Sequence, residues 1–371
     1  MISIANPERI KPGGFQFNPL EIAICGHSNS GKTTLIEKLI SSLSKTYRVA
    51  YVKHGHKFQM DTKGKDSYRM CEAGAKDIIT CSEDTLIYQN PVPQNRYYTA
   101  THVLSNADFV IAEGWKNTRI HKLVVLDDEI DPDAFTNVLA CVSVGERPAG
   151  LPDKFLHIDL NDCAGIEKLI LSFYEQEISK RKLNGLILGG GKSVRMGSDK
   201  GELAYHGKSQ IQWGIDLLNV FCETVYVSLR PDQDEKSFEN ASRQDDVFIG
   251  MGPMGGILTS LKSDSEAAWL VIACDLPYLE KESLEFLLKN RNAYKTATAY
   301  NSSSDGMPEP LCTVYEPKAI RPMLQFLGLG YQCPRKVLIN SECELLEQAN
   351  PRWLDNVNTM EEMQSARNEL N

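Results

Sequence analysis

The chain has 371 residues, of which 42% are hydrophobic and 24% charged, with a formal net charge of −9. A length of this order suits two domains, each able to bury its own core. The acidic balance excludes a broad basic face for nucleic acid or an anionic membrane, and leaves room for a local basic site that binds an anion. The 10 cysteines form no C-x-x-C pair, which argues against zinc and disulfide frameworks and for thiols in a reducing cytoplasm. The opening "MISIANPERIKPGG" lacks the apolar core of a secretion signal and reads as a loose polar arm. No apolar run approaches the roughly 20 residues of a membrane span.

In chain order, "LEIAICG" predicts a buried strand and "KTTLIEKLISSLSK" an amphipathic helix, with Leu35, Leu39 and Leu43 beside Ile36 and Ile40. "YRVAYVKH", "ADFVIAEG", "IHKLVVLD" and "NVLACVSVG" read as further strands, and "AGIEKLILSFYEQEI" as a closing helix. Strands alternating with helices imply a mostly parallel sheet covered on both faces. The charged stretch "EQEISKRKL" carries the domain joint, near Lys180. After it "NGLILGGG" restarts the pattern, followed by the helix "IQWGIDLLNVF" and the strands "ETVYVSL", "AAWLVIACD" and "KTATAYN". The expected architecture is therefore two α/β domains, residues 18–180 and 181–371. Each opens on a strand followed by a glycine-rich loop.

The first loop, Gly26-His27-Ser28-Asn29-Ser30-Gly31-Lys32-Thr33, fits G-x-x-x-x-G-K-[ST] in full between a strand and a helix. Backbone N–H groups of such a loop face phosphate at a helix N-terminus. Lys32 would reach the β- and γ-phosphates, the Thr33 hydroxyl would face Mg²⁺, and Gly26, Ser30, Gly31 and Thr34 complete the cradle. No N-K-x-D box is present, so the loop by itself leaves the base open. Glu113, at the end of "DFVIAE", is placed to face a Mg²⁺-phosphate group. His54 and His56 have a metal-compatible spacing but read more simply as loop residues.

The blocks Lys53-His54-Gly55-His56, Gly64-Lys65-Asp66-Ser67, Ala73-Gly74-Ala75 and Glu113-Gly114-Trp115-Lys116, in this order after the phosphate loop, resemble the MobB family of P-loop GTP-binding proteins. The resemblance runs from about Leu20 to Glu177. It implies GTP as ligand, weak hydrolysis at most, and a P-loop NTPase-like sheet. It also leaves room for a homodimer through this domain.

The second loop, Gly189-Gly190-Gly191-Lys192-Ser193-Val194-Arg195-Met196-Gly197-Ser198-Asp199-Lys200, has no G-K-[ST] at the offset of the first. Its Lys200 stands far enough beyond the glycines to reach a triphosphate from the opposite side. Arg195 can fork onto phosphate and Lys200 act as a point charge. Alone, such a loop reads equally well as a surface turn. Three further blocks favour a site. Gly252-Pro253-Met254-Gly255-Gly256 is a rigid turn opening a helix, and Asp275 ends the apolar run "WLVIACD" as a hard-oxygen Mg²⁺ ligand. Asn358, in "NVNT", offers an amide oxygen to the metal, although a plain turn would look the same.

The pattern from Leu188 to Lys200, with "GPMGG", "CDLPYL" and "NVNT", resembles the MobA family of molybdenum cofactor guanylyltransferases. Gly189 departs from the family's usual Ala, a change expected to be sterically mild. The resemblance covers about Leu183 to Asn371 and implies a Rossmann-like nucleotidyltransferase sheet. It assigns GTP contacts to Leu188, Gly189, Gly190, Lys200 and Asp275, with Asp275 also on Mg²⁺, and Gly191 joins them as part of the same nucleotide-binding loop. A strand-end Asn of some members meets Ser228 here, and a family Asp before the G-P turn falls on Asp246, with Asp245 as the alternative because the spacing varies. Arg195, Lys200 and Asp275 are the expected catalytic residues.

Together the halves resemble a MobB–MobA fusion. This implies transfer of GMP from GTP to molybdopterin in the cytoplasm, with molybdenum-insertion proteins, molybdoenzyme apoproteins or their chaperones as candidate partners. A related transferase using CTP or a sugar phosphate, and a non-catalytic GTP-binding cofactor carrier, are the competing readings.

Overall fold

The computed structural model describes residues 20–53, 63–75, 78–89, 104–189, 201, 203–233, 237–357 and 360–370. The chain divides into two compact units, Met1–Ile170 and Leu171–Asn371. Arg195, Lys200, Gly190, Gly191, Asn358, His54 and His56 lie outside the described residues.

The first unit holds a sheet of β1 (Glu21–Cys25), β2 (Val49–Lys53), β5 (Phe109–Glu113), β6 (His121–Val125), β7 (Val138–Ser143) and β8 (His157–Asp159). Its order is β2-β5-β1-β6-β7-β8, and every pairing is parallel. β1 and β5 are buried along their whole length, which explains why they read as continuous apolar runs without alternation. Helix α1 (Lys32–Leu43) buries Leu35, Ile36, Leu39 and Leu43, one stripe of its surface. A short helix, α2 (Asp66–Glu72), and a separate antiparallel hairpin, β3 (Ile78–Cys81) with β4 (Leu86–Gln89), follow β2. Helix α3 (Cys163–Ser179) closes the pattern, and the division between the units falls within it.

The second unit holds β9 (Leu183–Leu188), β10 (Thr224–Leu229), β11 (Ser242–Asp245), β12 (Ala268–Ala273), β13 (Ala297–Asn301), β14 (Pro308–Tyr315) and β15 (Cys343–Leu346). The order is β11-β10-β9-β12-β14-β13-β15. β11, β10, β9 and β12 run parallel, whereas β14 is antiparallel to both of its neighbours. Alternate side chains of the central strands feed two cores. Ile187, Leu270 and Ile272 pack with Ile211, Ile215 and Leu218 of α4 (Gln210–Asn219) and with Leu284 and Leu287 of α6 (Lys281–Lys289). Leu186, Trp269 and Val271 pack on the other face with Met254, Ile257 and Leu258 of α5 (Pro253–Ser263), Met323 of α7 (Ile320–Gly328) and Val337 of α8 (Pro334–Ile339). Helix α9 (Met360–Leu370) sets Met363 and Ala366 against Tyr205 and Val357. No helix among the described residues is long and apolar enough to cross a membrane.

Candidate functional site

In the first unit the phosphate loop leaves the carboxyl end of β1 and enters α1. Gly31 caps α1 at φ 89°, a conformation that a side chain would strain. Gly26 and Ser30 adjoin, because a Cβ on Gly26 would lie 3.0 Å from Ser30 Oγ. The Lys32 ammonium donates to the His27 carbonyl and to Ser30 Oγ, the latter at 3.2 Å. Burial pulls its pKa below the ordinary lysine value, partly opposed by the charge of Glu113. Thr33 and Thr34 are exposed. His27 Nδ1 meets Asp127 Oδ2 at 2.8 Å, fastening the loop to the segment after β6.

Glu113 is buried at the carboxyl end of β5, in register with Ile24 of β1 and Lys53 of β2. Its Oε1 pairs with Lys53 Nζ at 2.9 Å, and its Oε2 accepts from the Tyr51 hydroxyl at 2.5 Å. Burial would raise its pKa, but the Tyr51 and Lys53 hydrogen bonds and the charges of Lys53 and Lys32 outweigh it and hold the carboxyl below its ordinary value. A metal at Glu113 would therefore share a carboxylate that already has two donors. Lys53 opens the Lys53-His54-Gly55-His56 block. No motif marks Tyr51, and only its place two residues from Lys53, on the same strand face, signals it.

In the second unit the register brings the expected residues to one edge. Leu188 of β9 stands opposite Ser228 of β10 and Ala273 of β12. The loops that follow, bearing Gly189, Asp246 and Asp275, thus leave the same end of adjacent parallel strands. Chain order reverses between β9 and β12, a switch point where such sheets bind ligands. Ser228 Oγ donates to Asp246 Oδ1 at 2.6 Å, and both residues are buried. Burial pushes the Asp246 carboxyl above its ordinary pKa, against the Ser228 hydrogen bond. Asp245 instead points to Arg243 at 2.8 Å, with its side chain 54% exposed. A Cβ on Gly256 would sit 2.4 Å from Ser228 Oγ and 2.7 Å from Leu188. Only glycine therefore lets α5 approach this edge. The Gly189 amide donates to the Ser228 carbonyl at 3.0 Å. A Cβ on Gly189 would come within 3.1 Å of Leu229 Cδ2 and 3.3 Å of Val227 Cγ1. Alanine there is tighter than the sequence suggests, though it presses only on side-chain ends.

Asp275 is half-buried, two residues beyond β12. Val357 N donates to its carbonyl at 3.2 Å, which brings Asn356 and Val357 to this loop. Among the described residues no group of three or more His, Cys, Asp or Glu could hold a metal. Beyond the loop lies a cavity of about 460 Å³, walled in part by Tyr278, Asn356, Val357, Arg335, Arg352 and Gln348. Arg335 bonds Asp305 and Glu309 at 3.0 and 2.8 Å. Arg352 lies over the Tyr278 ring, 4.3 Å from its centroid.

Residues 21–144 match the family "Molybdopterin guanine dinucleotide synthesis protein B", and residues 185–344 match the "MobA-like NTP transferase domain". The "Molybdenum cofactor biosynthesis bifunctional protein" of Synechocystis is 38% identical over 187 residues, covering 50% of this chain and 54% of that protein. The "Molybdopterin-guanine dinucleotide biosynthesis adapter protein" of Haemophilus influenzae is 38% identical over 114 residues, 29% of this chain and 64% of its own length. The chain thus spans between about half and two thirds of these two relatives. A "Probable molybdenum cofactor guanylyltransferase" of Carboxydothermus hydrogenoformans is 35% identical over 147 residues, 39% of this chain and 71% of that protein. The chain belongs to the molybdenum cofactor guanylyltransferase family. It joins a MobB domain at the N-terminal side to a MobA-like NTP transferase domain at the C-terminal side. The MobA-like match contains Leu188, Gly189, Ser228, Asp246, Gly256 and Asp275, and the MobB match contains the phosphate loop and Glu113.

Proposed function

We propose that the MobA-like domain transfers GMP from GTP to molybdopterin, releasing pyrophosphate and forming the guanine dinucleotide form of the cofactor. The observation that carries this is the shared edge of β10, β9 and β12, where Ser228, Leu188 and Ala273 stand in register and buried Asp246 and half-buried Asp275 follow. The Ser228–Asp246 pair suits the donor edge of guanine: a carboxylate accepts two N–H groups that cytosine does not present in that pattern. The cavity beyond Asp275 is polar, but its Arg335 and Arg352 are paired with Glu309 and Glu369 of the same wall, so it offers an acceptor hydrogen-bonding groups rather than net positive charge.

In this reading a terminal phosphate oxygen of molybdopterin forms a bond to the α-phosphorus of GTP as the α–β bridging bond breaks. The phosphate monoester is already ionised at neutral pH, so no strong general base is required. The chain's work is alignment and charge neutralisation. The Gly189 N–H is held by the Ser228 carbonyl, so N–H groups of the loop after Gly189 would hold the triphosphate, and Arg195 and Lys200 steady charge on departing pyrophosphate. Asp275, with Asn358, would hold Mg²⁺, which when bound neutralises phosphate charge. The first domain is read as a GTP-binding accessory unit, with Lys32 on phosphate and Thr33 and Glu113 toward a second Mg²⁺. Association through that domain belongs to the same proposal, supported by exposed Ile79, Leu86 and Ile87 on the β3–β4 hairpin. None of the ten cysteines is in a disulfide, which accords with a reducing, cytoplasmic setting.

The test is pyrophosphate release with molybdopterin supplied. GTP should support it and CTP should not. Equal release from CTP would overturn the guanine assignment, and no release from either would favour a carrier.

A further inference from the structure

Asp275 carries its proposed task only if its loop is held still, and the loop has few backbone partners of its own. Besides the backbone bonds of Val357 N to Asp275 O and Leu279 N to Leu276 O, three of its carbonyls receive side chains from one short segment. Gln210 Nε2 donates to the Leu276 carbonyl at 3.0 Å, buried. His206 Nε2 meets the Pro277 carbonyl at 2.9 Å, and Trp213 Nε1 donates to the Leu279 carbonyl at 3.3 Å. His206 and Trp213 stack, with centroids 4.0 Å apart and an interplanar angle of 19°. Gln210 also acts through its backbone, because its N–H donates to the Leu203 carbonyl at 2.8 Å. Leu203 lies three residues beyond Lys200, and Leu276 follows Asp275 directly. One residue therefore ties the exit of the glycine-rich loop to the loop of the metal carboxylate. Gln210 is 3% exposed, and its Oε1 is buried with no hydrogen-bond partner among the described residues. A buried polar atom left unpaired costs stability. A leucine or methionine would fill the core position without that cost, so the amide's Nε2 contact is the feature it supplies.

We propose that Gln210 is a positioning residue for transfer, linking the segment after Lys200 to the Asp275 loop so that phosphate-binding and metal-binding groups keep one spacing. This rests on the reading of Asp275 as the metal carboxylate. Gln210→Met keeps length and volume and removes the amide. In the full chain it should raise the Mg²⁺ concentration for half-maximal transfer by about tenfold, the scale for losing an outer partner of a metal ligand. The KM for GTP should stay within about twofold. Hydrogen exchange should quicken in Cys274–Leu279 while the rest of the domain is unchanged. If Gln210→Met does not fold, Gln210→Leu, which also lacks the amide donor, should give the same pattern. Unchanged exchange in Cys274–Leu279 with an unchanged Mg²⁺ requirement would overturn the proposal. So would faster exchange throughout the domain together with a weakened KM, which is the signature of lost packing alone. Wild-type transfer by Asp275→Asn would overturn the reading beneath it. Loss in Asp275→Asn beside a normal Gln210→Met would overturn the positioning role alone.

Discussion

At the scale of single residues, Asp275 and Asp246, the two carboxylates of the proposed MobA-like site, predict different behaviour. Asp275→Asn should keep the fold and lower transfer by at least about two orders of magnitude, the scale for removing a key electrostatic stabiliser. Pyrophosphate release at the wild-type rate would contradict the assignment. Asp246 is a pH prediction. Burial holds its carboxyl above the ordinary value, so the folded protein keeps that proton more tightly than the unfolded chain. The stabilisation this gives is complete at acid pH and is lost as pH rises through the folded-state value. Asp246→Asn keeps an acceptor for the Ser228 hydroxyl but has no charge to bury. It should melt higher than the wild type near pH ~8, and the gap should close toward pH ~4. It should also weaken GTP binding at that domain. A pH-independent gap in melting temperature would count against the burial argument. Glu113 should respond in the opposite sense, since its carboxyl is held below the ordinary value. Its contribution is present at neutral pH and fades as pH falls through the folded-state value.

At the scale of elements, the closest packing against the site is α5 on β9 and β10. Gly256→Ala would drive a methyl to 2.4 Å from Ser228 Oγ and 2.7 Å from Leu188 Cδ2. Both neighbours are part of the proposed nucleotide edge, so stability and GTP affinity should fall together, stability by about 1–3 kcal/mol. Denaturant unfolding and nucleotide titration of the same variant check this. Much of this element pattern was legible, because buried parallel strands such as "ADFVIAEG" and "AAWLVIACD" are uninterrupted apolar runs. β14 was not. It begins "PEP", and prolines argue against a sheet-interior strand, yet both lie near its start and the ladder to β12 runs through Cys312–Tyr315. The β3–β4 hairpin escaped for another reason: its apolar side chains face outward, so no buried alternation marks it. The Gln210, His206 and Trp213 contacts were also illegible, since they depend on carbonyls more than 60 residues away along the chain.

At the scale of the whole molecule, we propose a joint near Lys180, after α3 ends at Ser179. A cut there leaves that helix whole. Where the second fragment starts should matter. Arg181 Nη1 donates to Glu316 Oε2 at 2.7 Å, while Arg291 holds the same carboxylate at 2.6 Å, and the Glu316 side chain is 1% exposed. A fragment beginning at Arg181 should therefore be more stable than one beginning at Leu183, by about 1.5–3 kcal/mol, the range for a hydrogen bond to a charged group. Equal melting curves would show that Arg291 alone satisfies Glu316. The two phosphate loops set the central claim, that one chain carries two separate nucleotide sites and only the second performs transfer. The most direct measurement is the guanine dinucleotide product, detected by mass spectrometry, made from GTP and molybdopterin by the full chain and by its Lys32→Ala and Lys200→Ala variants. The account predicts product from the wild type and from Lys32→Ala, and none above background from Lys200→Ala. Product from Lys200→Ala with none from Lys32→Ala would contradict it, by moving the chemistry to the first loop.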